Sequence, residues 1–207
     1  MNPFAPPLAE LHLSLRQATK QAHHVLDRHP LLAPLLMSAV SAKQYGNALT
    51  ALHGVYDWAE RWVDRYLDQY PGEFDYATRR KLPALEADLA ALGRHATLAR
   101  LNLVIPLRLG SLVGILYTIE GSTMGAQVIA RRLRQFAPEL PLRFYSGYGD
   151  QSRQKWDAFL HFAQTSCPNS EQPAALAASV GLFEAIKTHL DAVLNEITVS
   201  EMPACAL

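Results

Sequence analysis

Apolar residues recur at three- and four-residue spacing along almost the whole chain, and no convincing period-two run interrupts them. Leu8, Leu11, Leu15, Ala18, Ala22 and Leu26 fall on one stripe and predict a first helix over residues 8–28, closed by Pro30. A short helical turn is expected over 31–38. Ser41 and Gln44 have the form of a capping box, and they open a long helix that reaches about Gln69. Tyr70, Pro71 and Gly72 stop it. Residues 82–93 predict another helix, with Pro83 in its first turn and Gly93 past its end. Residues 94–108 fit no single pattern, and Pro106 interrupts them. A long helix follows over 109–136, ended by Pro138 and Pro141. Residues 142–150 read as a loop, 151–166 as a helix, 168–172 as a turn and 173–197 as the last helix. The pattern predicts an all-α, single-domain bundle of roughly six to eight helices. A flexible N-terminus at 1–7 and a C-terminal tail at 199–207 are expected to flank a domain at 8–198.

Composition narrows the function. Apolar residues make up 49% of the 207 and charged ones 18%, so the chain is neither disordered nor collagen-like. Lys and Arg total 19, as do Asp and Glu, and this neutrality argues against a nucleic-acid partner. No run of 18 or more apolar residues is present, so no membrane span is expected. Residues 1–7 show no basic and then apolar leader, and a cytoplasmic location is expected. Cys167 and Cys205 form neither a disulfide framework nor a zinc site. Eight histidines in a neutral chain raise a metal question. Of these, His53 reads as a packed or surface residue, and His29 and His95 fall at helix ends, where an imidazolium favours the helix dipole.

Two segments carry candidate chemistry. With Leu15 at the centre of the first helix's apolar stripe, Thr19, His12, His23 and Arg16 lie at about 40°, 60°, 80° and 100°, and His24 at about 180°. His23 thus stands on the shoulder of the buried face and His24 points to water. A shoulder histidine suits a metal ligand that is shielded yet reaches a cleft, or it is a half-buried histidine beside an ordinary surface arginine. The second segment is the helix over 109–136. Gly110, Gly114, Gly121 and Gly125 all fall within about 60° of one another on it. Each costs roughly 0.8–1 kcal/mol relative to alanine. Either another helix packs backbone to backbone there, or a flat ligand lies against bare backbone. Ser122 and Thr123 between the glycines favour a local bend. A histidine on one helix and a bare face on another would together suit a planar metal macrocycle held between them.

The stretch LRQATKQAH at 15–23 resembles the proximal-helix motif of the haem oxygenases, and LYTIEGSTMGAQV at 116–128 resembles their distal-helix motif. Residues 45–60 and 144–159, with Trp156, are similar in style, so the likeness covers most of 8–197. It is strongest to the compact bacterial, biliverdin-producing type. The resemblance implies a haem slot between the first helix and a kinked glycine-rich helix. It implies that His23 ligates haem iron, that Gly121 and Gly125 face dioxygen, and that Arg16 lies near a haem propionate, with Thr19 and Lys20 on the same turn. Ser122 stands where animal members carry an aspartate that orders distal water. His189 stands at a position usually held by phenylalanine, and Lys155 and His161 are candidates for the second propionate. Tyr117 and Met124 border the glycine face, as pocket lining or as core.

The implied reaction is oxidative cleavage of haem to biliverdin, carbon monoxide and ferrous iron. It requires dioxygen and an external electron donor, a reductase or a ferredoxin- or flavodoxin-like partner, because no nucleotide fingerprint is present. Rival readings are a non-catalytic haem carrier or sensor, a thiaminase-type helical hydrolase using Cys167 or Cys205, and a plain helical interaction module. A di-iron oxidase would need Glu-x-x-His pairs, and no glutamate here has a histidine three residues on.

Overall fold

A computed structural model describes residues 8–96 and 100–201. The stretch at 1–7, and the tail from residue 202 with Cys205, lie outside the described residues. Seven α-helices are present among them: α1 (Leu8–Asp27), α2 (Ala42–Gln69), α3 (Leu82–Ala91), α4 (Leu109–Phe136), α5 (Arg143–Ser146), α6 (Ser152–Ser166) and α7 (Gln172–Glu201). Short 3₁₀ turns occupy Ala33–Leu36, Ala77–Arg79 and Gly149–Gln151. The all-α bundle is therefore as the periodicity predicts, and α7 continues a turn beyond residue 197.

Local signals set most boundaries. The Ser41 hydroxyl accepts from the Gln44 N–H at 3.2 Å, and the Gln44 side chain accepts from the Ser41 N–H at 2.9 Å. This capping box satisfies two otherwise orphan donors at the start of α2. Gly93 takes a φ of 64° just past α3, a conformation open to glycine without strain. Elsewhere tertiary contacts decide. The stretch at 142–150, which reads as a loop, holds α5 and a 3₁₀ turn. The buried Asp88 carboxylate of α3 accepts the N–H groups of Arg143 and Phe144, at 3.1 and 2.9 Å, and so caps α5 from a distant part of the chain. Residues 100–108, ambiguous in sequence, are strapped to α2. The indole N–H groups of Trp58 and Trp62 donate to the carbonyls of Leu103 and Ile105, at 3.2 and 3.0 Å.

On α1, Leu11, Leu15 and Leu26 are buried, but Ala18 is exposed and Thr19 is buried in its stead. The buried arc is rotated toward the Thr19 side, and the Thr19 hydroxyl is satisfied by the Leu15 carbonyl at 2.8 Å. His29, expected as a dipole-facing imidazolium, is instead a buried tie. Its Nδ1 accepts from the Leu31 N–H at 3.2 Å and its Nε2 donates to Asp191 of α7, also at 3.2 Å. One neutral tautomer satisfies both bonds.

The four glycines of α4 divide into two pairs. A Cβ at Gly110 would lie 2.2 Å from the Glu171 carbonyl oxygen, and one at Gly114 would lie 2.3 Å from that of Ala175. Farther along, the Thr118 hydroxyl meets Ser179 at 3.2 Å. Residue numbers on α4 and α7 rise together, so the two helices run parallel here with their backbones in close approach. Glu171 also completes the start of α4: its carboxylate accepts the Gly110 N–H at 2.8 Å and pairs with Arg108 at 2.6 Å. The Arg108 guanidinium, and then the Gly110 N–H, hold the Glu171 carboxyl below its ordinary value. By contrast, a Cβ at Gly121 would meet only the Trp156 ring, at 3.5 Å, and one at Gly125 would meet nothing within 4 Å. Close packing thus explains one pair and leaves the other free.

This division predicts opposite stability effects. Gly114→Ala should destabilise the fold by about 1–3 kcal/mol through overpacking against α7. Gly125→Ala should stabilise it by up to about 1 kcal/mol through helix propensity. Urea denaturation of the two variants checks the pair, and equal effects would contradict the division.

Candidate active site

Helices α1 and α4 both pack against α6 and α7, and the space between α1 and α4 is a cleft of about 1360 Å³. That is larger than the usual 300–1,000 Å³ of small-ligand pockets. His23 borders it from α1, and Gly121, Ser122 and Gly125 border it from α4. Arg16, Thr19, Lys20, Tyr117 and Met124 border it as well, so the expected site residues of the first and fourth helices share one cavity. Tyr117 and Met124 line the cleft and are only half-buried. His24 is exposed, as its angle requires, and it too stands on the cleft's rim.

His23, expected to be shielded or half-buried on the shoulder of α1, is instead exposed, because the buried arc of α1 is rotated toward Thr19. Its side chain is 63% exposed, and its Nδ1 lies 3.0 Å from the Asp27 carboxylate one turn on. Nδ1–H donating to Asp27 leaves the Nε2 lone pair uncommitted among the described residues. Metal-ligating histidines are commonly oriented by such a carboxylate. The Phe183 ring of α7 lies 6.0 Å from the imidazole and limits its swing.

The walls are chemically sided. Leu32, Leu35 and Leu36 around the first 3₁₀ turn, with Val128, Ile129 and Ile186, give apolar lining. Arg16 and Lys20 of α1 and Arg153 of α6 give a basic margin. Arg153 was not singled out by the sequence, because an exposed arginine at the start of a helix carries no distinguishing pattern. It pairs with Asp157 at 2.8 Å. The two other basic candidates do not border the cleft. Lys155 donates to the Thr78 hydroxyl and carbonyl, at 3.0 and 3.2 Å, and His161 is exposed elsewhere on α6. His189 is buried away from the cleft, with Nε2 donating to the Ala51 carbonyl at 2.9 Å, so it ties α7 to α2. Cys167 is buried, and burial pushes its thiol up to about 11, which does not suit a nucleophile.

α4 runs as one continuous helix through Gly121 and Gly125. Ser122 donates to the Ile119 carbonyl at 2.8 Å, and Thr123 donates to that of Glu120. Two successive back-bonds of this kind favour bending at the glycines. With its one proton committed to Ile119, the Ser122 oxygen accepts from the Tyr56 hydroxyl of α2 at 2.8 Å. Burial pushes the Tyr56 phenol up to about 12, so it stays protonated as the donor. The Ser122 oxygen, which borders the cleft, retains one further lone pair.

Beneath this surface lies a charged cluster that sequence reading missed. Glu120, fully buried, takes the Arg79 guanidinium at 2.6 Å, the Lys81 ammonium at 2.5 Å and the Tyr148 hydroxyl at 2.8 Å. Burial draws the Lys81 ammonium down against the pull of Glu120, and burial, followed by Glu120, raises the Tyr148 phenol. The available signal was a glutamate directly after the apolar run at 112–119 and within the same helix, since an ionised side chain buried there requires a partner.

A sequence model of the family described as Heme oxygenase matches residues 9–188. The chain belongs to the haem oxygenase family. A curated Heme oxygenase of Xanthomonas campestris pv. campestris (strain 8004) is 33% identical over 119 residues, which span 55% of this chain and 69% of that protein. Among solved structures, the NO- and CO-bound heme oxygenase of Neisseria meningitidis superposes with a TM-score of 0.69 at 19% identity, covering 95% of this chain and 94% of that one. Heme oxygenase-1 of the cyanobacterium Synechocystis sp. PCC6803, solved in complex with heme, gives 0.70 at 16% identity, over 92% and 96%. That of Leptospira interrogans gives 0.70 at 18%, over 88% and 98%. These three share the fold. Family membership makes this haem oxygenase a haem-binding, haem-degrading enzyme. Among the described residues, no helix is long and apolar enough to cross a membrane.

Glu120→Gln removes the carboxylate that pairs directly with the buried Arg79 and Lys81. Chemical denaturation should register a loss of about 3–5 kcal/mol. Ser122→Ala should cost only about 0.5–1.5 kcal/mol, the net worth of an ordinary hydrogen bond.

Proposed function

We propose that this enzyme opens the haem ring oxidatively to biliverdin, carbon monoxide and ferrous iron. Dioxygen is the oxidant, and a reductase or a ferredoxin- or flavodoxin-like partner supplies the electrons. The observation that carries the reading is the shared cleft. A carboxylate-oriented histidine borders it from one helix, and two side-chain-free turns border it from another, with a basic margin alongside. The donor set fits haem: one available imidazole, cations for carboxylate groups and apolar walls for the rest of the ring. Haem is at once cofactor and substrate, supplying the redox-active iron and the ring that is opened.

The chain's own residues take the following parts. His23 would hold the iron through Nε2, with Asp27 fixing the tautomer. A neutral imidazole donates less electron density than a thiolate would. Arg16 and Lys20 receive one propionate, with Thr19 holding their turn against the core. Arg153 stands where α6 can meet the second. Gly121 and Gly125 present bare backbone to the cleft, so a small molecule such as dioxygen would have room between them and a bound haem. Ser122, anchored by Tyr56, offers its free lone pair to an ordered water. Tyr117 and Met124 complete the lining.

Titration of the purified protein with ferric haem, followed by absorption spectroscopy, tests the reading. His23→Ala should abolish the histidine-ligated spectrum, and His24→Ala should leave it almost intact. Asp27→Ala should weaken haem binding by about 10- to 100-fold. Gly125→Leu should fill the distal space, and Gly121→Leu should crowd it against Trp156. Both should retain haem but lose biliverdin formation with reductant and oxygen. Equal spectra for the two histidine variants, or undiminished biliverdin from Gly125→Leu, would refute the assignment. Haem binding without any biliverdin from the wild-type protein would leave a carrier rather than an enzyme of this reaction.

A further inference from the structure

At one place along the cleft its walls are joined. His12 of α1, Tyr117 of α4 and Trp156 of α6 form a cluster of three rings. Their centroids are 6.1 Å apart for His12 and Tyr117, and 5.8 Å apart for each of the other two pairs. All three residues border the cavity. Trp156 also lies over Gly121, with its ring 3.5 Å from where a Cβ would stand. The cluster therefore connects the helix of the ligand to the bare turns of α4, through α6.

His12 precedes His23 by eleven residues, about three helical turns, so the two imidazoles leave α1 within about 20° of each other. Their roles differ. His23 is 63% exposed and its Nδ1 is bonded to a carboxylate. His12 is half-buried, and its contacts among the described residues are ring against ring. Burial, and then the neighbouring Arg16, hold the His12 imidazole below its ordinary pKa. It is neutral near pH 7 and adds no third cation beside Arg16 and Lys20. What it contributes to the cleft is a flat, polarisable surface against Tyr117 and Trp156.

We propose that the His12–Tyr117–Trp156 cluster is a stop that fixes how the macrocycle sits in its own plane, with His12 as the positioning residue that holds the other two rings. The inference rests on the haem-opening reading and deepens it. The edge of the ring that lies under Gly121 and Gly125 is the edge that is opened, so seating selects the biliverdin isomer. Tyr117 and Trp156 form the contact surface, and the His12 ring keeps them from receding toward α1.

Proton NMR of the ferric haem complex, without reductant, reads seating directly, because each in-plane orientation gives its own set of hyperfine-shifted methyl signals. His12→Ala should shift the ratio of these sets by about 2- to 10-fold. The biliverdin isomers separated by chromatography should shift in the same sense, while haem affinity stays near wild type. His12→Phe keeps a ring of similar reach without its nitrogens, and it should restore the wild-type ratio. An unchanged ratio in His12→Ala would overturn the stop. So would a His12→Phe ratio displaced as far as that of His12→Ala, which would assign the effect to a nitrogen rather than to the ring. Should circular dichroism show that His12→Ala does not fold, Trp156→Leu carries the same test, and an unchanged ratio there overturns it equally. Failure of the wild-type protein to bind haem would instead remove the underlying reading.

Discussion

The close approach of α4 to α7 is the constraint on which the site depends. Gly110 and Gly114 let the two backbones meet, and the Glu171 carboxylate closes the contact by capping α4 and clasping Arg108. A helix seated so firmly at its start can carry bare turns farther along without another element filling them. Gly121 and Gly125 use that freedom: the same residue type that is a packing requirement at one end is an open surface at the other. α1 rests on α6 and α7 as well, so the gap between α1 and α4 is set by their common supports.

A second constraint acts from below. A glutamate, an arginine and a lysine are buried together under the distal turns, with a tyrosine completing the set. An ionic cluster of this kind contributes little net stability over an apolar packing of similar volume, yet breaking one partner is expensive. Its effect is to fix α4 relative to the 3₁₀ turn at Ala77–Arg79 and to the loop bearing Tyr148. Ser122 lies two residues along α4 from Glu120 and is bonded to Tyr56 of α2, so the polar surface offered to the cleft is held by a rigid base.

The histidines illustrate how one residue type is sorted by its surroundings. His23 keeps a free nitrogen among the described residues because its polar tie there is a carboxylate on the other nitrogen. His29 and His189 are consumed by buried hydrogen bonds that tie α7 to the end of α1 and to α2. His12 is defined by neighbouring rings. Angular position on α1 set His23 nearer the buried face than His24, yet both are exposed and both border the cleft. It could not distinguish a histidine that ties two helices from one that faces a ligand, because that depends on what stands opposite.

Short-range physics made the helices, the capping box at Ser41, the stop at Gly72 and the shared faces of α1 and α4 legible in the chain. Each follows from backbone periodicity, side-chain caps or the conformational range of glycine, which act within a few residues. The motif pair at 15–23 and 116–128 likewise lies within single helices, and that is why it identified the family and the lining of the cleft. Contacts between residues far apart in the chain decided the rest. Asp88 turned an apparent loop into α5, α7 claimed two glycines and left two, and Glu120 found its counter-charges some forty residues earlier. Arg153, rather than Lys155 or His161, reached the basic margin for the same reason. Burial and partnership are properties of the assembled bundle, and a linear pattern records only which residues are able to enter them.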